Sequence, residues 1–337
     1  MLLRILCFIC LLLLAYPATY TLADNAVSYD ITALTEAANN GNSDAQNLLG
    51  NAYYRGEGVA QNYEKAFELY SKAAMLGNFY AKATLGDMYR QGIVVKKDPI
   101  MAFKLYLDAA EHGHPFAQHN LATMYADKND YENAYKWFLQ AANLGLANAQ
   151  FMVGVCYEEG LGVAQDYKQA VSWYLKAADQ HYDEATNALG LMYAMGTGVD
   201  KDLDKAFIYF KEASDKGVTN AHFNLGLFYC EQRKDYAKCV EYYEKGAQQN
   251  DVASQMNLAL MYFSGDEINR DYKKAFHFFS LAHKNKDPHA AHFLGLLYLT
   301  GQGTQKNIAQ AKKYFSESCE RGFDLSCQEL KKMQSEK

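Results

Sequence analysis

Residues 45–77 read AQNLLGNAYYRGEGVAQNYEKAFELYSKAAMLG, and residues 149–181 read AQFMVGVCYEEGLGVAQDYKQAVSWYLKAADQH. The two stretches share one framework and differ where a surface would vary. The small residue of the "LG" step recurs as Gly50, Gly86, Ala122, Gly154, Gly190, Gly226, Ala259 and Gly295, every 36 residues except for intervals of 32 and 33. Three residues after each of these anchors stands a tyrosine: Tyr53, Tyr89, Tyr125, Tyr157, Tyr193, Tyr229, Tyr262 and Tyr298. Self-similarity at a period of this length is the signature of a repeat array and takes precedence over any local reading.

The second half of each repeat is equally regular. Asn62, Asp98, Asp130, Asp166, Asp202, Asp235, Asp271 and Asn307 head a segment with a small residue four positions on (Ala66 to Ala311, with Cys239 in the sixth repeat). Four further on comes an aromatic ring: Tyr70, Tyr106, Phe138, Tyr174, Phe210, Tyr243, Phe279 or Phe315. A spacing of four puts small and aromatic residues on one helical face, which then packs into a neighbour. The recurring Asn or Asp predicts an N-cap, its side-chain oxygen accepting from a free backbone N–H. Pro99, Pro115 and Pro288 fall where the first helical residue is expected. Gly41, Gly77, Gly113, Gly145, Gly217 and Gly322 close the second helices. The Gly-x-Gly turns at Gly56, Gly160, Gly196 and Gly301 join two helices with no preceding strand. They therefore read as spacers and not as phosphate cradles, and the short repeats near Lys128 and Arg233 lack them.

Half of the residues are apolar, enough to bury a core. The balance of 33 Lys+Arg against 39 Asp+Glu argues against a nucleic-acid partner, which calls for a basic stripe. Arg4, the apolar run from Ile5 to Tyr16 and the small residues around Ala23 match a secretory signal peptide over residues 1–23. The run is short for a bilayer, and no other stretch is long enough to span one. A periplasmic or secreted mature chain is expected, acting as a monomer.

The pattern A-x-x-x-L-G-x-x-Y-x-x-G-x-G-V-x-x-D-Y-x-x-A-x-x-W/Y-Y-x-x-A-A-x-x-G resembles the Sel-1-like repeat, a relative of the tetratricopeptide repeat, over about residues 27–334. The resemblance implies an all-α superhelical solenoid of eight helix pairs, some eighteen helices in total. Its parts would be a capping helix over 24–41, the repeats over 42–322 and a second capping helix over 323–337. It implies an adaptor that holds a protein or peptide in a concave groove lined by the first helices, at the envelope or in host interaction. The secreted cysteine-rich branch is partly similar, and from it comes the alternative of a β-lactam-binding or β-lactamase-like enzyme. That branch bridges cysteines at the spacing of Cys319 and Cys327, which implies a disulfide there. A Cys230–Cys239 bridge stays open, and Cys156 reads as a small core residue.

Catalytic chemistry is not legible. Among motifs, Ser-x-x-Lys, His-Glu-x-x-His, Gly-x-Ser-x-Gly and the Walker loop are missing from the mature chain. His112, His114 and His119, and separately His289 and His292, lack a completing carboxylate or cysteine, so neither a metal nor a cofactor is assigned. By analogy with tetratricopeptide arrays, the positions three before, one after and four after each anchor face the groove. These are Asn47, Asn51, Tyr54, Asp87, Arg90 and His119 toward the N-terminus. Toward the C-terminus they are Phe223, Leu227, Met256, Leu260, Phe263, Leu296 and Leu299. The groove is thus expected to pass from polar to apolar, unless a tight superhelix buries the apolar set between neighbouring first helices.

Overall fold

The computed structural model of the chain describes residues 30–335, so the expected leader lies outside the described residues. The described chain forms two compact units that meet in sequence at Asp166 and Tyr167. Unit 1 opens with α1 (Ile31–Asn39). Then follow α2 (Ser43–Arg55) and α3 (Tyr63–Met75), α4 (Phe79–Gln91) and α5 (Pro99–Glu111), α6 (Pro115–Ala126) and α7 (Tyr131–Asn143), and finally α8 (Ala147–Glu159). Unit 2 begins with α9 (Tyr167–Ala178), followed by α10 (Asp183–Met195) and α11 (Leu203–Asp215), and α12 (Thr219–Phe228) and α13 (Tyr236–Gln248). It continues with α14 (Val252–Ser264) and α15 (Tyr272–Lys284), α16 (Pro288–Thr300) and α17 (Ile308–Glu320), and ends with α18 (Asp324–Ser335). The architecture is an all-α solenoid of helix pairs, and among the described residues there is no strand.

Most of the second helices start, and several of the first helices stop, for a local chemical reason. Asn62, Asp98, Asp130, Asp202, Asp235, Asp271 and Asn307 cap the second helices with a side-chain oxygen on a backbone N–H two or three residues ahead. A cap of this kind contributes about 1 kcal/mol. The cap residue's own N–H donates to the carbonyl of the tyrosine three past the anchor, for example Asn62 to Tyr53 at 2.8 Å and Asp202 to Tyr193 at 2.9 Å. That one bond locks the loop between paired helices in every repeat. Gly56, Gly160, Gly196 and Gly301 end first helices in the left-handed conformation.

The short repeats differ in how they turn. In the third, Asn129 takes the left-handed conformation at φ 60°. In the sixth, α12 runs into a π-helical turn over Tyr229–Arg233. Cys230 and Cys239 stand at disulfide distance across that turn, with Cα atoms 5.2 Å apart. Cys319 and Cys327 stand at the same distance between α17 and α18, with Cα atoms 4.9 Å apart.

The core explains the anchor. Ala66, Ala102, Ala206, Cys239, Ala275 and Ala311 are fully buried, as are Tyr70, Tyr106, Phe279 and Phe315. A Cβ added at Gly50 would lie 2.7 Å from the Tyr70 ring, at Gly86 2.6 Å from Tyr106, at Gly190 2.6 Å from Phe210 and at Gly295 2.6 Å from Phe315. The first helix therefore leaves out a side chain where the ring of its paired helix lies flat against it. The recurring tyrosine after the anchor ties successive repeats together. Its ring meets an aromatic of the preceding second helix edge-on: Phe67–Tyr89, Phe103–Tyr125, Tyr135–Tyr157, Phe207–Tyr229 and Phe276–Tyr298, at 5.4 to 5.9 Å. Such pairs contribute about 0.5–1.5 kcal/mol beyond their buried area. Each repeat thus packs both within its own helix pair and against its neighbours, as a solenoid requires.

Candidate functional site

In unit 1 the polar positions of the first helices form one cluster. Asp87 on α4 accepts the Tyr106 hydroxyl at 2.5 Å and the Asn120 amide of α6 at 3.1 Å. Arg90, one turn on, reaches the same Asp87 oxygen only at 3.6 Å, and its buried Nε finds no acceptor. Burial pushes the Asp87 carboxyl upward, against the lowering pull of the Tyr106 hydroxyl and the Arg90 charge. His119 tilts toward Phe138 at 5.3 Å and leaves Nδ1 without a partner. Burial, helped by the Arg90 charge, pushes His119 down to about 4, so its imidazole is neutral at physiological pH. Tyr54 on α2 meets Tyr63 edge-on at 5.1 Å and lies within the field of Asp87.

Two of the expected groove residues are already engaged by the fold. Asn47 is buried, its Oδ1 without a partner, and does not face a surface. Asn51 is half-buried and already accepts the Tyr70 hydroxyl at 2.8 Å. Asn51–Tyr70 and Asp87–Tyr106 are the same device in successive repeats: a polar residue after the anchor receives the hydroxyl of the second-helix tyrosine. Where that ring is Phe210, Phe279 or Phe315, the residue after the anchor is Leu191, Leu260 or Leu296. This pairing was visible in the sequence but holds in only part of the array, since Tyr174 and Tyr243 go with Val155 and Leu227, and Phe138 goes with Thr123. A buried hydroxyl must find an acceptor, and a phenyl ring has none to satisfy.

In unit 2 all seven apolar positions are half-buried, so the face is neither fully open nor sealed between helices. Phe223 stacks on Tyr243 at 5.6 Å. Phe263 meets Tyr272, Phe279 and Phe293 at 5.5 to 6.1 Å, and Met256 and Leu260 pack on the same core. Phe263 thus holds the fold together as well as presenting surface. Leu227, Leu296 and Leu299 keep part of their surface free without belonging to that core.

The histidines read as structural. His114 caps α6, its ring nitrogen accepting the Ala117 N–H at 3.2 Å, while His112 stacks on Phe79 at 3.8 Å. His292 meets Ser326 at 2.9 Å, and His222 meets Ser214 at 2.7 Å. These Ser–His contacts are buried at both ends and leave a substrate no approach to the serine oxygen. Among the described residues no group of three His, Cys, Asp or Glu is placed to hold a metal ion. No helix among them is long and apolar enough to cross a membrane.

The geometry defines an α/α repeat protein with a partly exposed first-helix face in each unit. The chain belongs to the Sel1 repeat family, whose model matches residues 43–78, 80–114, 115–146, 147–182, 183–218, 219–251, 252–286 and 288–323. Sel1 repeat proteins generally serve as non-enzymatic scaffolds for protein interaction. The chain is similar to a protective antigen of uropathogenic Escherichia coli that displays an SLR fold, at 29% identity and a TM-score of 0.70. That match covers 90% of this chain but 66% of the antigen, so the chain spans just under two thirds of its length. A Sel1 repeat protein from Oxalobacter formigenes shares the fold at 24% identity and a TM-score of 0.67, over 90% of both chains. No curated protein matches the chain. The two cysteine pairs at disulfide distance fit an extracytoplasmic protein.

Proposed function

We propose that the chain is an exported scaffold, acting as a monomer at the envelope or in host interaction, that holds a protein or peptide partner on its first-helix faces. The observation that carries this reading is the contrast between the two sets. In unit 1, Tyr54, Asp87, Arg90 and His119 gather donors and acceptors that the fold leaves partly unused. In unit 2, Leu227, Leu296 and Leu299 are half-buried and keep part of their apolar surface uncovered. An apolar face of this kind contributes area to binding, while a partly desolvated polar cluster fixes which partner binds. The likeness to a protective bacterial antigen supports a setting outside the cytoplasm.

The test replaces residues that present surface without supporting the core. Arg90→Ala and Leu299→Ala should each weaken capture of the native partner by about tenfold or more, the range of a hot-spot truncation. Both variants should melt as the parent does. Unchanged capture by both would end the reading. No nitrocefin turnover above background is expected of the purified protein.

A further inference from the structure

Tyr243 of α13 occupies the position of Tyr70 and Tyr106 in the first two repeats. Its ring is held the same way: a Cβ added at Gly226 would come 2.7 Å from its Cδ1, and Phe223 stacks on it at 5.6 Å. The register carries its hydroxyl toward the residue after the anchor, where Tyr70 and Tyr106 meet Asn51 and Asp87. Here that residue is Leu227, whose side chain accepts nothing. Tyr243 is 2% exposed, yet its hydroxyl has no hydrogen-bond partner among the described residues, and the oxygen is not sealed from solvent. A hydroxyl this deep is normally paired.

The surroundings of that hydroxyl are anionic. It lies in the field of Glu231, on the π-helical turn after α12, and of Glu267, on the loop after α14. Burial first, and then the charges of Glu231, Glu267 and Asp251, push the hydroxyl upward, so it stays neutral and keeps its lone pairs. Asp251 is already engaged with the Ser254 N–H at 2.6 Å. Glu267 is exposed and has no ion-pair partner among the described residues. Glu231 reaches only Lys234, at 4.0 Å between side chains that are both more than half exposed, and such a pair contributes little. The other cations of these segments are engaged: Lys238 lies over the Tyr229 ring, and Arg270 donates to the Ser264 carbonyl at 2.9 Å. The first helices of unit 2, α10, α12, α14 and α16, contain neither Lys nor Arg.

We infer that Tyr243, Glu231 and Glu267 together take the ammonium of a lysine side chain on the bound partner, its stem laid along Leu227. An ammonium is a compact charge with three rotatable donors, which suits three acceptors on three separate elements better than a flat guanidinium fork does. The chain makes one arm of this contact internally, where Lys274 Nζ donates to the Tyr262 hydroxyl at 3.2 Å. A lysine stem covers apolar surface while its head stays charged, as a site bordered by Phe223 and Leu227 requires. This inference rests on the first-helix reading of unit 2 and names the side chain that face selects.

The probe is Ac-Leu-Ala-Lys-Ala-Leu-amide, whose one cation is the lysine ammonium, compared with the same peptide carrying norleucine or arginine at the central position. Each is added to the purified full chain with its tyrosines labelled at the ζ-carbon, the Tyr243 signal being assigned by its loss in Tyr243→Phe. The lysine peptide should shift that signal in a saturable way, the norleucine peptide should leave it in place, and the arginine peptide should bind about tenfold more weakly. Phe210, Phe279 and Phe315 fill the same position in other repeats, so Tyr243→Phe should melt as the parent does. Followed on neighbouring backbone amides, Tyr243→Phe, and separately Glu231→Gln combined with Glu267→Gln, should each weaken the lysine peptide by about tenfold. Glu212→Gln, at an exposed position of α11, should leave it unchanged. No shift with the lysine peptide, an equal shift with norleucine, equal binding with arginine, or full affinity in either variant would overturn the inference. If the native partner still needs Leu299 while the peptide fails, only the ammonium assignment falls. If the peptide binds and no partner uses either face, only the scaffold reading falls.

Discussion

Gly190→Ala combined with Phe210→Leu tests why the anchor is small. In α10 a Cβ at residue 190 would lie 2.6 Å from both Cδ1 and Cε1 of Phe210, below any ordinary carbon contact. Phe210 is 3% exposed, so the ring cannot step aside into solvent. Overpacking of this kind costs about 1–3 kcal/mol. Replacing a mid-helix glycine by alanine returns about 1 kcal/mol of helix propensity. The single variant should therefore lose about 0–2 kcal/mol. Phe210→Leu alone should be destabilising, since it leaves a gap in the core. In that background the same Gly190→Ala change should become stabilising by about 1 kcal/mol, because the ring that forbade it is gone. The double-mutant cycle then yields a coupling of about 1–3 kcal/mol. Urea unfolding of the four proteins, with hydrogen exchange of the α10 and α11 amides to localise the effect, measures it. Strict additivity would show that ring contact does not explain the anchor.

Three further outcomes follow from named positions. Non-reducing peptide mapping should find Cys319 joined to Cys327 and Cys230 joined to Cys239, and opening the Cys319–Cys327 loop should cost about 2.5 kcal/mol on the chain-entropy view. Val94 holds φ 66° in the second repeat's turn, where four other repeats carry Gly58, Gly162, Gly198 and Gly303, so Val94→Gly should raise thermal stability by about 1 kcal/mol. His114 and His119 are both pushed down to about 4 by burial, so the unfolded chain binds their protons first as pH falls. Stability should be full above about pH 6.5 and decline toward pH 4, and His119→Gln should flatten that decline in denaturation curves taken across the window.

The helix pairs were legible because caps, glycines, alanines and rings recur in register, and each repeat confirms the others. The position of the anchor was equally plain, but its reason needed the ring of the paired helix lying against it. The aromatics that join repeats, such as Phe67, Phe103 and Phe276, were open to the same inspection. They drop out in the fourth and sixth repeats as Val171 and Val240, which blurs the pattern. The face residues were harder, because periodicity says which way a position points and not what has already claimed it. Asn51 and Asp87 serve Tyr70 and Tyr106, and Phe263 serves Phe279 and Phe293. The π-helical turn at Tyr229–Arg233 left no local signal beyond a repeat three residues short.

The most direct test of the scaffold account is site-specific photo-crosslinking to the native partner. Benzoyl-phenylalanine would replace Tyr54 or Leu299 on the first helices, and Ile100 or Ile208 on the second helices, where those side chains are 72% and 60% exposed. The account predicts partner adducts from 54 and 299 and none from 100 and 208. Adducts from 100 and 208 alone would place the partner on the second helices and contradict it.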